Sequence, residues 1–518
     1  MRLLASIIFG SVFCATTLTA SSEEFYILPM GQGNGQLAVY NTDKSEHKVG
    51  VLYDLGSKSL QSHPKFMRRG DWNLNFKPNR HGQLRIVSSK QIAHNTPDRS
   101  ITSTSTVVTP DTTERKVGDS QRKAIKEDLQ EFIKTLLGDL KHLILFLSHT
   151  DVDHINYISA EAFPVNLSVT AFLCGDWFGD SCDKPTSITE TDSQETKKAV
   201  KDVLLFLGMR PKTHLVFPYY LRFMVQEHQD SRSIEFNDLI RKKFKDSSVI
   251  SFDSRVGDLK RFCLRTNFDT PNPIPFSGTF NDFLCQVELP DNIKNNPDLK
   301  AIFNNLYIWR INYPVGDVND FSPIISCALP SLNLSVVFTG DAGLPVFQSL
   351  SCRHTIHPKN SFRETLSDQI DDQHLVLLML PHHGSWLNVS GEMLRFFRPN
   401  VFGISAGDGG QHGHPSLKTI EWIQGIAQQE SLHKTFNSRF KKEQDLHIIA
   451  IRDQEDSELA KYPHRVVKMR EDFPVFLCPN IYGCIKWDRD GIHTNFDNTF
   501  DIRGKKYYVA YAGAVAKI

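Results

Sequence analysis

The sequence predicts an α/β fold: an αββα sandwich of two mixed β-sheets with helices on the outside. Two observations predict it. Short apolar, β-compatible runs alternate with helical stretches in both halves of the chain. Each half also opens with strands close enough in sequence to pair as hairpins. Two such halves suit sheets packed face to face, because each sheet must bury its apolar face against another layer.

The elements follow in order. Arg2 precedes an apolar stretch from Leu3 to Thr16, and the small residues Thr19-Ala20-Ser21-Ser22 lead into Glu23-Glu24. This is the layout of a secretory signal, so residues 1–20 read as a signal peptide and 21–518 as one domain. The run is shorter than the roughly 20 residues a spanning helix needs. The mature protein is therefore expected to be secreted, periplasmic or extracellular, with no stable membrane insertion. Strands are expected at Phe25–Leu28 and Gln36–Tyr40, joined by Met30-Gly31-Gln32-Gly33-Asn34-Gly35, and at Val49–Tyr53. Residues 58–120 are polar and too long for a simple connection, so they read as an insertion, a lid or a disordered loop.

Order resumes at Gln121. Ile125, Leu129, Phe132, Ile133, Leu136 and Leu137 share one helical face, and Gly138 ends the pattern. The run Leu143–Leu147 is a buried strand. A second insertion, about 155–305, carries helical pieces near Thr196–Met209 and Ser233–Lys245 and reads as decoration of the same domain. Strands return at Leu306–Ile311, Pro323–Leu329, Leu334–Phe338, Leu375–Leu380, Val401–Ser405, Leu446–Ile451 and Tyr507–Ala512. Helices are expected at Gly391–Phe397 and Ser416–Ile426.

Composition narrows the class. The chain has 518 residues, 40% hydrophobic and 23% charged, which is ordinary for a soluble globular protein. Lys+Arg 59 balances Asp+Glu 59, so no global field draws it to nucleic acid or an anionic membrane. Beyond Cys14, eight cysteines remain, an even number that fits disulfides in an exported chain. The close pairs Cys174/Cys182 and Cys478/Cys484 are the expected bridges. None forms a CxxC, which argues against a zinc ribbon or thioredoxin-type site.

The chemistry gathers at strand ends. His149-Thr150-Asp151-Val152-Asp153-His154 follows the Leu143–Leu147 run and places two imidazoles and two carboxylates in one turn. Nitrogen and oxygen donors in that mixture suit zinc, manganese or iron. Three more clusters follow strands: Thr339-Gly340-Asp341, Pro381-His382-His383-Gly384-Ser385 and Gln411-His412-Gly413-His414-Pro415. Strand ends on one edge of a sandwich converge, so donors far apart in sequence can meet.

These motifs resemble the metallo-β-lactamase superfamily, and within it the hydrolase-like domain of the ComEC DNA-uptake proteins and their stand-alone relatives. Gly31-Gln32-Gly33, Tyr53-Asp54-Leu55-Gly56, Ser148 through His154, Phe338 through Asp341, Pro381 through Ser385 and Gly413-His414-Pro415 carry the resemblance, with Asn319 and Ser322 where that group tends to have an Asn/Ser pair. The family's usual turn is His-x-His-x-Asp-His; here Asp151 stands at the second histidine, as in the ComEC-like branch. The resemblance implies one or two divalent metal ions, zinc or manganese, with iron as a further option. His149 and Asp151 would lean toward one ion, Asp153 and His154 toward the other, with Asp341 between them and His382 and His414 completing the set. The family often supplies another histidine before the Gly-Asp strand; only His214 and His228 lie in that interval, and neither follows a motif.

On this reading a metal-bound hydroxide attacks the substrate, Asp153 orients the nucleophilic water or takes its proton, and His383 or His414 protonates the leaving group. Ser385 caps the next helix rather than attacking. Gly31-Gln32-Gly33 is a turn beneath the metals rather than a phosphate cradle, since no helix follows it. The expected function is a secreted metal-dependent hydrolase of phosphodiester bonds, with a small-molecule or nucleic-acid substrate. The alternatives are a lactone, thioester or β-lactam hydrolase on the same fold, or a degenerate scaffold that serves as a secreted interaction protein.

Overall fold

The structure, a computed structural model, describes residues 23–57 except 32 and 42–47, 119–174 except 150, 295–310, 322–350, 374–406 and 414–429, with shorter pieces elsewhere and from 447 onward. The signal segment, most of 58–118, the helical piece at Ser233–Lys245 and Cys182 lie outside the described residues.

The strands of the two larger sheets, in chain order, begin with β1 (Glu24–Ile27), β2 (Gly35–Asn41), β3 (Lys48–Leu55) and β4 (Leu140–Leu147). Then come β5 (Ser168–Cys174), β6 (His214–Phe217), β7 (Val249–Ser251) and β8 (Gly278–Thr279). The second half holds β9 (Leu306–Arg310), β10 (Ile324–Leu329), β11 (Leu334–Phe338), β12 (Leu375–Met379) and β13 (Val401–Gly403). It ends with β14 (Val475–Leu477), β15 (Ile485–Asp488) and β16 (Gly491–Thr494).

Among the described residues the first sheet runs β16-β15-β1-β2-β3-β4-β5-β6-β7 and the second β8-β9-β10-β11-β12-β13-β14. Both are mixed. β1, β2 and β3 pair antiparallel, and β3 through β7 run parallel. In the second sheet β9, β10 and β11 pair antiparallel, while β11 through β14 run parallel. The stretch 155–305, expected to be decoration, supplies β5, β6 and β7, so it extends the first sheet rather than merely covering it. Its strands enter as parallel neighbours, which sequence periodicity alone does not reveal.

Three apolar layers hold the sheets and helices together. β4 shows how one run serves two of them. Leu143, Leu145 and Leu147 meet Leu129, Phe132, Ile133 and Leu136 of helix α1 (Asp119–Leu137), whereas Ile144 and Phe146 point between the sheets. A strand buried on both faces reads as a continuous apolar run, which explains the absence of alternation here. The middle layer joins the sheets, with Tyr53 stacked on Phe338 at a 5.1 Å ring separation. The third layer covers the outer face of the second sheet, where Val337, Val376, Leu378 and Phe402 meet the later helices.

Besides α1 these helices are α2 (Val152–Ile155), α3 (Pro297–Asn305), α4 (Leu344–Leu350), α5 (Gly391–Phe397) and α6 (Leu417–Gln429). Ser390 caps α5 by accepting from the Met393 amide at 3.1 Å. The result is an α/β structure in which two mixed sheets pack face to face under outer helices.

One expectation is corrected. Cys478 and Cys484 are buried free thiols, not a disulfide. Cys478 belongs to the layer outside the second sheet and Cys484 to the layer outside the first. Closeness in sequence did not bring them together, because the chain changes sheets between β14 and β15. Asp488-Arg489-Asp490-Gly491 forms the hairpin turn from β15 to β16.

Candidate metal centre

Parallel strands deliver their carboxyl ends to one edge of each sheet, and the predicted donors lie there. His149 follows β4, Asp341 follows β11, and His382 and His383 follow β12. Beyond β4 the chain turns at Asp151 (φ −62°, ψ 146°) into α2, all four of whose residues are buried. This turn can pack closely because Gly56 lacks a side chain. A Cβ on Gly56 would lie 2.5 Å from the His154 amide nitrogen. Gly340 (φ +52°) closes the other side, where a Cβ would overlap that of Ser148.

Two groups of donors form. His149, His154 and Asp341 place one ligand atom each within 4.8 Å of the others, and so do Asp153, His154 and His383. All five residues are buried. Nε2 of His149, His154 and His383 and Oδ1 of Asp341 are buried with no hydrogen-bond partner. His154 Nε2 lies 3.3 Å from Asp341 Oδ1, and His383 Nε2 lies 3.4 Å from Asp153 Oδ2. Orphaned buried polar atoms are costly, so several gathered together in a native site call for a physical reason such as a shared ligand. These buried His/Asp groups could hold a metal ion.

The opposite edge of each ring is anchored. His383 Nδ1 lies 2.7 Å from the Ser405 carbonyl, so it must donate there, leaving Nε2 as a lone pair in the neutral ring. His154 Nδ1 lies 2.8 Å from Asp54 Oδ2. His149 Nδ1 meets Ser148 Oγ at 2.9 Å, and that hydroxyl donates to Asp54 at 2.8 Å. Asp54 thus organises the turn. It is fully buried and also accepts from the Ser148 amide at 2.7 Å and from Asn34 Nδ2 at 3.1 Å. Asp54 (φ 54°), His382 (φ 49°) and His383 (φ 55°) all adopt left-handed backbone. Such strain in non-glycine residues persists only where surrounding bonds over-determine it.

Electrostatics couples the groups. Burial alone would raise Asp341, but the imidazoles of His154, His382 and His383 outweigh it and hold the carboxyl well below its usual range. Burial opposes the charged form of His154 too. The carboxylates of Asp341 and Asp54 overcome it and hold the imidazole well above its usual value. His383 is raised for the same reason, by Asp341 and Asp153 against burial. His382 is lowered, chiefly by burial, with help from the neighbouring imidazoles.

The other predicted donors lie around this core. The Asp151 side chain is 46% exposed, with Oδ2 at 3.6 Å from His149 Nε2. His382, 30% exposed, has Nε2 at 3.7 Å from Asp341 Oδ2. The His414 ring stands 5.3 Å from that of His382 and 6.4 Å from that of His383. His154 belongs to both buried groups, and His383 belongs to the second of them beside Asp153. His214 begins β6, and its side chain is not described.

In the sequence Asp54 carries no evident role, and nothing there marks Asn34, Ser148 or Ser405 as supports. The signal for Asp54 was its place at the end of a strand before Leu55-Gly56. Ser405 acts through its backbone carbonyl, which no motif reports. The glycine-rich turn does lie under the site: Asn34 N donates to the Asp153 carbonyl at 2.9 Å, and Ser405 Oγ donates to the Gly33 carbonyl at 2.7 Å. Ser385 Oγ accepts from the Leu387 amide at 3.3 Å, a cap on the turn Trp386–Asn388.

No protein-family model matches the chain, and no curated protein matches it in sequence. No helix among the described residues is long and apolar enough to cross a membrane.

Proposed function

We propose that the chain is an exported metal-dependent hydrolase of the metallo-β-lactamase fold, acting on phosphodiester bonds of nucleotides or nucleic acid. The observation that carries this reading is that the buried Nε2 atoms of His149, His154 and His383, none with a hydrogen-bond partner, lie among the carboxylates of Asp341 and Asp153 in two groups that could hold a metal ion. Zinc or manganese suits such a mixed nitrogen and oxygen set, with iron the further option. When bound, a divalent ion lowers the pKa of water and polarises a phosphoryl oxygen.

The residues divide the remaining work. His149, His154, His383, Asp153 and Asp341 would hold the ion, and Asp151 and His382 extend the donor set toward the mouth. Asp54, Ser148 and the Ser405 carbonyl keep the Nε2 lone pairs aimed inward. Asp153 takes the proton of the attacking water at its carboxylate. His414, partly exposed beside His382, would give a proton to the departing oxygen. His383 is less suited to that task, because its Nδ1 is tied to Ser405 and its Nε2 faces Asp153.

The test is to measure bound metal on the purified full chain, then assay a generic phosphodiester with zinc and with manganese. Asp153→Ala serves as the control. Metal binding with turnover abolished by Asp153→Ala is the expected result. Absence of metal, or activity untouched by that substitution, refutes the site. Turnover of lactones or thioesters without phosphodiesters would keep the metal centre and overturn the bond assignment.

A further inference from the structure

Beside the metal centre stands a surface feature that the hydrolytic chemistry does not use. Trp386 follows His383 by three residues, so its Cα lies within about 11 Å of that histidine's. Leu387, next to it, is 75% exposed, one of two large hydrophobic side chains so placed among the described residues. Trp422 of α6 packs against Trp386 edge to face, with ring centroids 5.7 Å apart. Lys418, one turn beyond His414 in sequence, holds its ammonium 4.5 Å from the centre of the Trp386 ring.

The feature is rigidly joined to the reacting centre. Asn388 Nδ2 lies 3.3 Å from the Asp341 carbonyl and 3.4 Å from that of Ala342. The Ser416 amide donates to the Gly384 carbonyl at 3.2 Å, tying the start of α6 to the turn that carries His383. An aromatic ring, an exposed aliphatic side chain and the Lys418 ammonium therefore stand close to the donors.

We propose that Trp386, Leu387 and Lys418 form the subsite for the nucleobase and outer phosphate of a small nucleotide substrate. This rests on the phosphodiesterase reading above and names the substrate class for it. In the free protein Lys418 covers the Trp386 ring. A cation–π contact made by an exposed lysine on a half-buried indole is weak and easily given up. On binding, the ammonium turns to the phosphate and the base takes the ring face, with Leu387 against its edge. Base-on-indole stacking tolerates any base, since every base has a π-face. Lys418 in an electrically balanced chain (Lys+Arg 59, Asp+Glu 59) suits one or two phosphates rather than a long polyanion.

The experiment is equilibrium binding to the full chain, read by tryptophan fluorescence and checked by calorimetry, with no turnover required. The probes are a nucleoside 5′-monophosphate, ribose 5-phosphate and vesicles of anionic phospholipid. Wild type should bind the nucleotide about tenfold more tightly than ribose 5-phosphate. Trp386→Leu should remove that preference, and Trp386→Phe should restore most of it. Lys418→Gln should weaken both phosphates alike. Leu387→Ser, at an exposed position, supplies a second variant whose folding is not in question and should reduce the base preference in part.

Equal binding of the two phosphates by wild type overturns the proposal, as does a preference unchanged in Trp386→Leu and Leu387→Ser. Vesicle binding that depends on Leu387, without base preference, reassigns the surface to lipid and also overturns it. Base-dependent binding in a protein that hydrolyses no phosphodiester sustains the subsite while the catalytic reading fails. Hydrolysis without base preference does the reverse.

Discussion

Asp54→Asn is the perturbation that tests the site most directly, because Asp54 touches no proposed metal position yet controls the rings that do. Its Oδ1 accepts from the Ser148 amide at 2.7 Å. Its Oδ2 faces Ser148 Oγ at 2.8 Å, His154 Nδ1 at 2.8 Å and Asn34 Nδ2 at 3.1 Å. An amide must present NH2 to one side, so at least one donor meets a donor in either orientation. Hydrogen bonds to charged groups contribute about 1.5–3 kcal/mol each. Losing one or two of them predicts a stability loss of about 1.5–6 kcal/mol, a sizeable part of the roughly 5–15 kcal/mol a domain has.

The chemical effect is more specific. An amide NH2 facing His154 favours the tautomer with the proton on Nε2, which turns a lone pair into an N–H at the metal position. Supporting substitutions of this kind cost about 10–100-fold in metal affinity. Zinc affinity measured by competition with a chromophoric chelator, alongside urea unfolding of chelator-treated protein, separates the two effects. A folded variant that binds zinc within about twofold of wild type would refute the reasoning that Asp54 sets the tautomer of His154.

Three further predictions follow from the same geometry. His154 is held above its ordinary value in the metal-free protein, so its contribution to stability is full below about pH 6.5 and is lost as pH rises through the folded value. Asp341 is depressed, so its contribution is present above about pH 3.9 and is lost as pH falls through its folded value. Metal must displace the His154 proton, so binding should release protons and tighten with rising pH. Calorimetric titration in buffers of different ionisation enthalpy checks this, and zero proton release near neutrality contradicts it. Gly340→Ala places a side chain against Ser148 at φ +52° and should cost about 1–3 kcal/mol in chemical denaturation while weakening metal binding through Asp341. Tyr53→Phe removes the 2.7 Å bond from the hydroxyl to the Pro323 carbonyl but keeps the ring stacked on Phe338, so a loss of about 1–3 kcal/mol with unchanged metal affinity is expected from unfolding and titration.

Much of this architecture was legible because its causes are local. The face Leu129, Phe132, Ile133 and Leu136 has helical spacing whatever it packs on, and helix α1 ends at Leu137, ahead of Gly138. Apolar runs such as Leu334–Phe338 and Leu375–Met379 form strands because they are buried on both faces. The donors His149, Asp153, His154 and Asp341 declared themselves through their residue types at strand ends. What stayed hidden was relational. Nothing in the order of residues says that β5, β6 and β7 extend the first sheet, or that Cys478 and Cys484 face opposite outer layers.

The same division holds within the site. The sequence by itself determined which side chains could bind metal, since ligand chemistry belongs to the residue. Tertiary structure decided which of them share a point in space. It set His383 beside Asp153, let His154 serve both groups, left Asp151 half in solvent, and recruited a backbone carbonyl at Ser405. The physical reason is that parallel strands bring remote carboxyl ends to one edge, while sheet register and buried hydrogen bonds, set by packing across the whole domain, fix where each ring points.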